Sequence, residues 1–309
     1  MKLRLLPLLA LALTWTYCST DDDSDPVMDA PVYTQKLTGD ISEQSAEEAK
    51  RTINGKWDVN ADASKRVACT LLGIEFTEDR FAAGIAVGDD DVALAYGTYE
   101  LVEDADGNVT SVRLMENDDL IANLTNVVVT ETADQLVATF DIEVVYDGDD
   151  WPCDNETISG SYEADKDDVA TGGDNATADS NFDRIVATWR MSAFSASFDG
   201  ITLNLDQYLA NFCIDYETGE EDPDCENPSS LEVSFSAYGS YIFVALDAQG
   251  ELIEGESDEW SFVNSEQTQI RIGDGEDSFI GNITTLNDTT FEFTTTLDGV
   301  SQTYTFTKI

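Results

Sequence analysis

Histidine is absent from all 309 residues of this sequence. Its absence excludes Ser-His-Asp and Cys-His triads, zinc sites built on histidine, and the usual general base near neutral pH. Carboxylate-only chemistry, as in glycoside hydrolysis, survives this exclusion. However, among the 63 acidic residues no motif marks out a catalytic pair. The sequence therefore predicts no catalytic residue, and we expect a protein that is not an enzyme.

Basic residues are scarce as well, with 15 Lys and Arg against 63 Asp and Glu and a formal net charge of −48. Such a surface repels nucleic acid phosphates and anionic headgroups, so we expect no nucleic acid partner. Cations, basic partners or high salt suit it, and a solvated acidic coat explains the charge without any partner. The hydrophobic content of 42% is too high for a disordered chain. The length allows two domains of about 130 residues.

The apolar run at the N-terminus is too short to cross a membrane. Leu5 to Leu13 is nine residues long and follows the positive charges of Lys2 and Arg4. A short apolar run behind a positive start is typical of a signal peptide. We therefore assign residues 1–17 to a signal peptide.

Cys18 follows this run and is itself followed by Ser-Thr-Asp-Asp-Asp. A cysteine at this place resembles a bacterial lipoprotein signal, and the acidic run after it resembles the export tag of Bacteroidota surface lipoproteins. The resemblance implies lipidation of Cys18, an acidic tether over residues 18–41, and an outer-membrane protein exposed at the cell surface, with the membrane as partner. Trp15, Thr16 and Tyr17 stand where small and aliphatic residues are usual, so a plain secretory signal is the alternative.

The rest of the chain is rich in Val, Ile, Thr, Phe and Tyr in alternating runs between Gly, Asp and Asn turns, which predicts strands. Only two stretches favour helix, residues 42–51 and 206–212. The composition of residues 167–181 is that of a linker. We therefore expect two domains, residues 42–166 and 182–309.

Six segments recur in the same order in both domains, which indicates an internal repeat. The matched pairs are Ile53–Trp57 with Ile185–Trp189, Ile74–Phe76 with Leu231–Val233, Tyr96–Tyr99 with Glu259–Phe262, Val112–Leu114 with Ile270–Ile272, Ile121–Leu124 with Ile280–Ile283, and Tyr162–Lys166 with Tyr304–Lys308.

Each domain contains eight predicted strands joined by short turns, which favours antiparallel neighbours. In the second domain they begin near Ile185, Leu231, Ser240, Asp258, Thr268, Phe279, Thr290 and Gln302. Eight strands can close into an up-and-down barrel without exposed edges. The predicted fold class is thus all-β, with two consecutive barrels, and a β-sandwich is the competing architecture.

Gly55 and Trp57 on the first strand, a meander of about eight strands, and a closing Tyr162-x-x-x-Lys166 resemble the lipocalin-like domains of Bacteroidota lipoproteins. The resemblance covers most of both domains. It implies a calycin-type barrel with an internal cavity, without implying a particular ligand. The second domain departs from the pattern, with Ala187 in the place of Gly55.

Four cysteines remain besides Cys18, and an even count in an exported chain favours disulfides. They allow three pairings. In an up-and-down barrel the loop after the first strand and the loop before the last lie at the same end, which predicts a Cys69–Cys153 bond. Cys213 and Cys225 bracket an acidic loop and are predicted to pair with each other. Metal-binding or redox cysteines are the lesser alternative, since no Cys-x-x-Cys occurs.

The first connection of the second domain, Ser192 to Ser230, is much longer than its counterpart in the first. In a lipocalin-like barrel this connection covers the mouth, which predicts a lid. Its acidic loop could bind Ca²⁺ as a cofactor through oxygen ligands. The candidate ligands are Asp215, Glu217, Glu220, Asp222 and Asp224. An elaborated loop pinned by a disulfide is the alternative.

Alternation along the strands places a set of aromatic side chains inside the second barrel. The candidate ligand-pocket residues are Trp260, Phe262, Phe291, Phe293 and Tyr304. They predict either a pocket for a small apolar or glycan ligand or a filled core. The first alternative makes the protein a binding or accessory lipoprotein, and the second a structural or interaction lipoprotein without a small-molecule ligand. The oligomeric state stays open.

Overall fold

A computed structural model describes most of the chain after the N-terminal segment. The described residues are 38–59, 69–87, 92–132, 135–146, 153, 155–167, 180–198, 201–214, 225–273, 278–297 and 299–309.

The first half forms a closed barrel of eight antiparallel strands, with one further two-residue strand at its side. The strands are β1 (Gly39–Asp40), β2 (Gly55–Val59), β3 (Thr70–Phe76), β4 (Arg80–Ala86), β5 (Val92–Glu103), β6 (Val109–Glu116), β7 (Asp119–Glu131), β8 (Gln135–Val144) and β9 (Gly160–Asp167). Neighbours in sequence pair with one another, and β2 closes the barrel against β9. The extra strand β1 pairs with β7.

The second half repeats this architecture and carries one additional short strand. Its strands are β10 (Thr188–Phe198), β11 (Ile201–Asn204), β12 (Ser230–Phe235), β13 (Ser240–Leu246), β14 (Leu252–Phe262), β15 (Gln269–Ile272), β16 (Phe279–Leu286), β17 (Thr290–Leu297) and β18 (Val300–Lys308). Pairing of β10 with β18 closes the barrel, and β11 forms a hairpin with β10. The prediction of two closed antiparallel eight-stranded barrels is therefore confirmed.

The helices are short and lie before the barrels or between strands. They are a 3-10 helix (Ile41–Glu43), α1 (Ala46–Ile53), α2 (Asn155–Ile158), α3 (Asn181–Ile185) and α4 (Leu205–Ala210). The helix predicted over residues 42–51 begins later, because Ser45 and Glu48 form a capping box at the start of α1. Ala49 and Ile53, four residues apart, bury the inner face of this helix against the first barrel.

Two predicted strand starts in the second barrel are wrong. The residues up to Ile185 form α3, whose first turn is capped by the Ser180 side chain, so the strand begins at Thr188 instead. The strand expected from Asp258 begins at Leu252, because its acidic first half pairs with β13.

In each barrel, a tryptophan on the first strand donates a hydrogen bond to the helix that precedes the strand. In the first barrel, Nε1 of Trp57 donates to the carbonyl oxygen of Ile53 at 2.7 Å. In the second, Nε1 of Trp189 donates to the carbonyl oxygen of Ile185 at 3.0 Å. Both tryptophans are buried, so the same bond satisfies the indole N–H and a carbonyl at the end of the helix in each copy. The repeat is thus present at the level of individual hydrogen bonds.

Two of the other matched pairs are displaced by two residues from the match expected from the sequence. Ile74 lies opposite Trp57, and the residue opposite Trp189 is Val233, not the expected Leu231. Likewise Trp260, and not Phe262, is the structural equivalent of Tyr99. The side chain of each donates a hydrogen bond at 3.0 Å to a backbone carbonyl oxygen of its own barrel. A shift of two keeps every side chain on its own face of a strand, so alternation alone did not reveal it.

The two barrels pack against each other through a small apolar cluster. Ala82 and Tyr96 on the outer wall of the first barrel contact Ile242, Val244 and Leu246 on the outer wall of the second. The ring of Tyr96 lies directly over Gly255, where a Cβ atom would come within 2.7 Å of ring carbons. Strands β4 and β5 therefore meet β13 and β14 at very close range.

A buried ion pair also joins the barrels. Glu232, on β12, is 1% exposed and accepts from Arg190 of its own barrel at 2.7 Å. Its second oxygen accepts from Arg80, which lies on β4 of the first barrel. The neighbouring Asp79 accepts from the hydroxyl of Thr188 in the second barrel. The Glu232 carboxylate thus engages one guanidinium group from each barrel, and its pairing with Arg80 forms only where the two barrels meet.

Lys166, on β9 of the first barrel, is buried next to a residue of the second barrel. Its ammonium group donates to the carbonyl oxygen of Asn54 and lies 4.4 Å from the ring centre of Trp57 and 3.8 Å from that of Tyr238, a residue of the second barrel. Burial holds the pKa of Lys166 well below its usual value. Lys308, which takes the equivalent place in the second barrel, is exposed.

Gly255→Ala tests this close approach. The added methyl group would meet the Tyr96 ring at 2.7 Å, so we expect a loss of about 1–3 kcal/mol in the free energy of unfolding. Gly160→Ala is the control, because a Cβ atom there meets nothing within 4 Å. Urea denaturation of both variants measures the difference, and equal stabilities would contradict the described interface.

Candidate functional site

Both disulfides form with the predicted pairing. Cys69, at the start of β3, is bonded to Cys153, which precedes α2, with the two Cα atoms 5.4 Å apart. Cys213, after α4, is bonded to Cys225, with the Cα atoms 5.5 Å apart. The first bond therefore links the connections after the first strand and before the last strand of one barrel.

Several predicted residues cannot be placed. Cys18 and the five candidate calcium ligands Asp215, Glu217, Glu220, Asp222 and Asp224 lie outside the described residues. Within the described part of the chain, no group of three or more Cys, Asp or Glu side chains is arranged to hold a metal ion.

The predicted lid packs its own side chains on the second barrel. The ring of Tyr208, on α4, lies 4.4 Å from that of Phe194 on β10. Phe194 in turn lies 5.1 Å from Tyr304 on β18. Leu205 and Leu209 pack against the same core. Helix α4 of this connection therefore packs on the barrel through aromatic and aliphatic contacts.

The five predicted pocket residues come together inside the second barrel. Trp260, Phe291 and Phe293 are buried, whereas Phe262 and Tyr304 are half-buried. Ring centres are 5.4 Å apart for Trp260 and Phe262, 5.4 Å for Phe291 and Phe293, and 4.9 Å for Phe293 and Tyr304. These distances are typical of rings in direct contact. Each ring thus packs against another ring of the set.

The interior of the first barrel is closely packed where α1 and the strands converge. The space left there has a volume of about 10 Å³. It is lined by Ile53, Trp57, Ile74, Phe76, Leu124, Val127, Val129, Ala138 and Phe140. Roughly one water molecule needs 10–15 Å³, so this space does not suit an organic ligand.

A larger space lies on the outside of the first barrel, beside a bulge in β7. Thr125 pairs with Asp141 and Val128 with Thr139, so two residues of β7 lie opposite the single residue Phe140. The bulged Asn126 has a left-handed φ of 53° and an exposed side chain. Bulges of this kind redirect side chains and interrupt a sheet, and here the bulge opens a groove.

The groove has a volume of about 440 Å³ and combines polar and aromatic groups. Its lining residues are Asn126, Thr139, Phe140, Asp141, Ser161, Tyr162 and Glu163. The volume falls within the range of roughly 300–1,000 Å³ found for small-molecule sites, although the groove is open to solvent. It is the candidate binding site of the described chain.

Hydrogen bonds hold the Asp141 carboxylate in place. Oδ2 accepts from Nδ2 of Asn126 at 2.7 Å, and Oδ1 accepts from the hydroxyl of Ser161. The Ser161 bond, followed by the Asn126 bond, lowers the pKa of Asp141. Since a carboxylate offers about four acceptor positions, both oxygens can still accept from a ligand.

Sequence reasoning missed this groove. One signal was present, because the consecutive polar residues Thr125 and Asn126 break the alternation of polar and apolar residues in this part of the strand. Such a break in alternation indicates a bulge. The convergence of Asn126, Asp141 and Ser161 from three strands could not be derived from it.

Comparison with known proteins gives little further guidance. No protein-family model and no curated protein matches this chain. Among solved structures, a crystal structure of a mutant of the vaccine antigen transferrin-binding protein B from Haemophilus parasuis is similar at 7% identity and a TM-score of 0.19. The match covers 77% of this chain and 53% of that one, so this chain spans about half the length of that protein. No inference rests on this likeness.

Phe291→Ala tests whether the aromatic set is core. Phe291 is fully buried among other rings, so its truncation should cost about 3–5 kcal/mol. The half-buried Phe262 is the matched control, and Phe262→Ala should cost clearly less. Denaturant unfolding measures both, and a loss below about 1 kcal/mol for Phe291→Ala would indicate rings that line open space.

Proposed function

We propose that this protein is a lipid-anchored binding or accessory lipoprotein at the cell surface, and that its first barrel binds a small neutral glycan in the outer groove. The observation that carries the proposal is the Asp141 carboxylate, fixed by Asn126 and Ser161 beside Tyr162 in a groove of about 440 Å³. Hydroxyl-rich ligands fit these groups chemically.

The groove offers polar groups that suit a sugar. Sugar hydroxyl groups can donate to the free acceptor positions of Asp141, and Thr139 and Glu163 add exposed polar groups at the rim. Tyr162 also lines the groove, but its ring stacks on the buried Phe140 in the core of the barrel. The strongly acidic chain disfavours anionic ligands, so we infer a neutral sugar.

The fold supports a site on the wall of the barrel rather than inside it. The resemblance to lipocalin-like domains implies an internal cavity, but the space where α1 meets the strands of the first barrel has a volume of about 10 Å³. In the second barrel the aromatic rings contact one another beneath α4. A small apolar ligand would have to separate these rings, whereas a glycan in the groove would displace only solvent.

Glycan binding can be tested with an array of neutral oligosaccharides followed by calorimetry on the best binder. Asp141→Asn should weaken binding about tenfold or more, because the fixed charged acceptor is lost. Asp119→Asn is the matched control, since Asp119 is exposed on β7 outside the groove, and should leave the affinity unchanged.

The absence of saturable binding to any neutral oligosaccharide would contradict this function. That outcome would favour the alternative, a structural or interaction lipoprotein with filled barrels. Equal losses of affinity in Asp141→Asn and Asp119→Asn would place the ligand elsewhere on the acidic surface.

The proposed lipid anchor is supported by the apolar run and by Cys18 with its acidic tether. No helix in the described part of the chain has the length and apolarity needed to cross a membrane. Mass spectrometry of the native protein should find an N-terminus at a diacylglyceryl-modified Cys18. An unmodified terminus beyond Cys18 would refute lipidation.

A further inference from the structure

Glu75 is a carboxylate enclosed between the two barrels. It lies on the outer face of β3, opposite Lys56 on β2 and Ala82 on β4, and only 3% of it is exposed. Ala82 belongs to the apolar cluster that joins the barrels. An outward-facing residue of the first barrel is thus covered by the wall of the second.

The polar contacts of Glu75 come from the second barrel and are incomplete. The nearby hydroxyl groups of Ser240 and Ser257 favour the charged form of its carboxylate and so act to lower its pKa. Its oxygen Oε1 has no hydrogen-bond partner among the described residues. The hydroxyl of the adjacent Tyr96, a residue that is 5% exposed, also lacks a partner there. Unsatisfied buried polar groups are costly, and most costly when charged.

The charges around Glu75 are mainly of its own sign. Strand β14 contributes Asp258, which raises the pKa of Glu75, and also Glu254 and Glu256. On the other side, β2 contributes Lys56, whose side chain is exposed.

The remaining neighbours do not neutralise Glu75. Tyr96 on β5 and Tyr241 on β13 are phenols whose own pKa values lie above the usual range, chiefly through burial. Arg80, the nearby cation of β4, is paired with Glu232. Glu232, at the same interface, has two guanidinium partners, whereas Glu75 has none of its own.

We propose that Glu75 is the proton-binding group of a pH-sensitive interface, and that loss of its proton loosens the packing of one barrel on the other. Protonation removes the buried charge and supplies an O–H donor next to Tyr96. Deprotonation leaves a carboxylate enclosed with Asp258 and the other β14 acids, which favours separation of the walls and entry of water.

The direction of the effect follows from proton linkage. Desolvation raises the pKa of Glu75 to about 7 from an ordinary value of 4.5. The packed state therefore binds more protons than the open state between these two values. Its stability is greatest below about pH 4.5 and falls as the pH rises through about 7.

Two backbone amides report directly on this interface. The N–H of Ala237 donates to Oδ1 of Asn54 at 2.9 Å, and the N–H of Leu252 donates to Oδ1 of Asn117 at 2.7 Å, both across the barrel boundary. Their hydrogen-exchange protection factors should be measured at pH 5.5 and 8.0 in wild type and in Glu75→Gln. The Ala138 amide, within the pairing of β8 and β9, is the control.

At pH 8.0 we expect protection of Ala237 and Leu252 to be at least about tenfold lower in wild type than in Glu75→Gln, and the difference to shrink at pH 5.5. Ala138 should be unaffected. Lys166 and Glu256 are present in both proteins, so their titration cancels in the comparison. A ratio that is the same at both pH values, or an equal change at Ala138, would overturn the proposal.

A measurement on the unmodified protein covers the case in which Glu75→Gln does not fold. The carboxyl ¹³C resonance of Glu75 should titrate with a midpoint near 7. A midpoint near 4.5, the ordinary value, would overturn the proposal.

Discussion

The close packing of two barrel walls is the interaction on which the rest of this structure depends. A barrel wall normally presents polar side chains to water, but here Ala82, Tyr96 and Glu75 of one wall are covered by the other. Gly255 permits the approach because its missing side chain leaves room for the Tyr96 ring. The ion pair of Arg80 with Glu232 crosses between the barrels, and the ammonium of Lys166 lies over the ring of Tyr238 in the second barrel.

This packing also explains why the two copies have diverged. Lys166 is buried against Tyr238, whereas Lys308 at the equivalent place is exposed. Gly55 has a φ of +105°, and a Cβ atom there would lie 2.9 Å from that of Tyr238. The second copy has Ala187 at this place, which is buried in the core of the second barrel and has no positive φ.

The barrels themselves could be predicted from the sequence because their determinants are local or periodic. Alternation marks the strands, short turns make neighbours antiparallel, and the tryptophans Trp57 and Trp189 mark the same point in each copy. The disulfide of Cys69 with Cys153 followed from the topology of a closed barrel. The matches that failed, such as Val233 for Leu231, were displaced by two residues along a strand.

The interface and the groove could not be predicted, since both depend on residues that look like ordinary outward-facing positions. Glu75 and Glu232 are both glutamates on barrel strands, and nothing local shows that Glu232 is paired with two arginines whereas Oε1 of Glu75 has no hydrogen-bond partner among the described residues. The groove requires Asn126, Asp141 and Ser161 to meet from three strands around a bulge.

The central claim is that the two barrels share a buried face, and nuclear Overhauser effects test it most directly. The Tyr96 ring protons should show contacts to the α-protons of Gly255, and the Tyr238 ring protons to those of Gly55. Contacts within the second barrel, such as Phe235 with Trp260, serve as the internal reference. Observation of all three sets would agree with the account, whereas intact contacts within the barrel without those between barrels would contradict it.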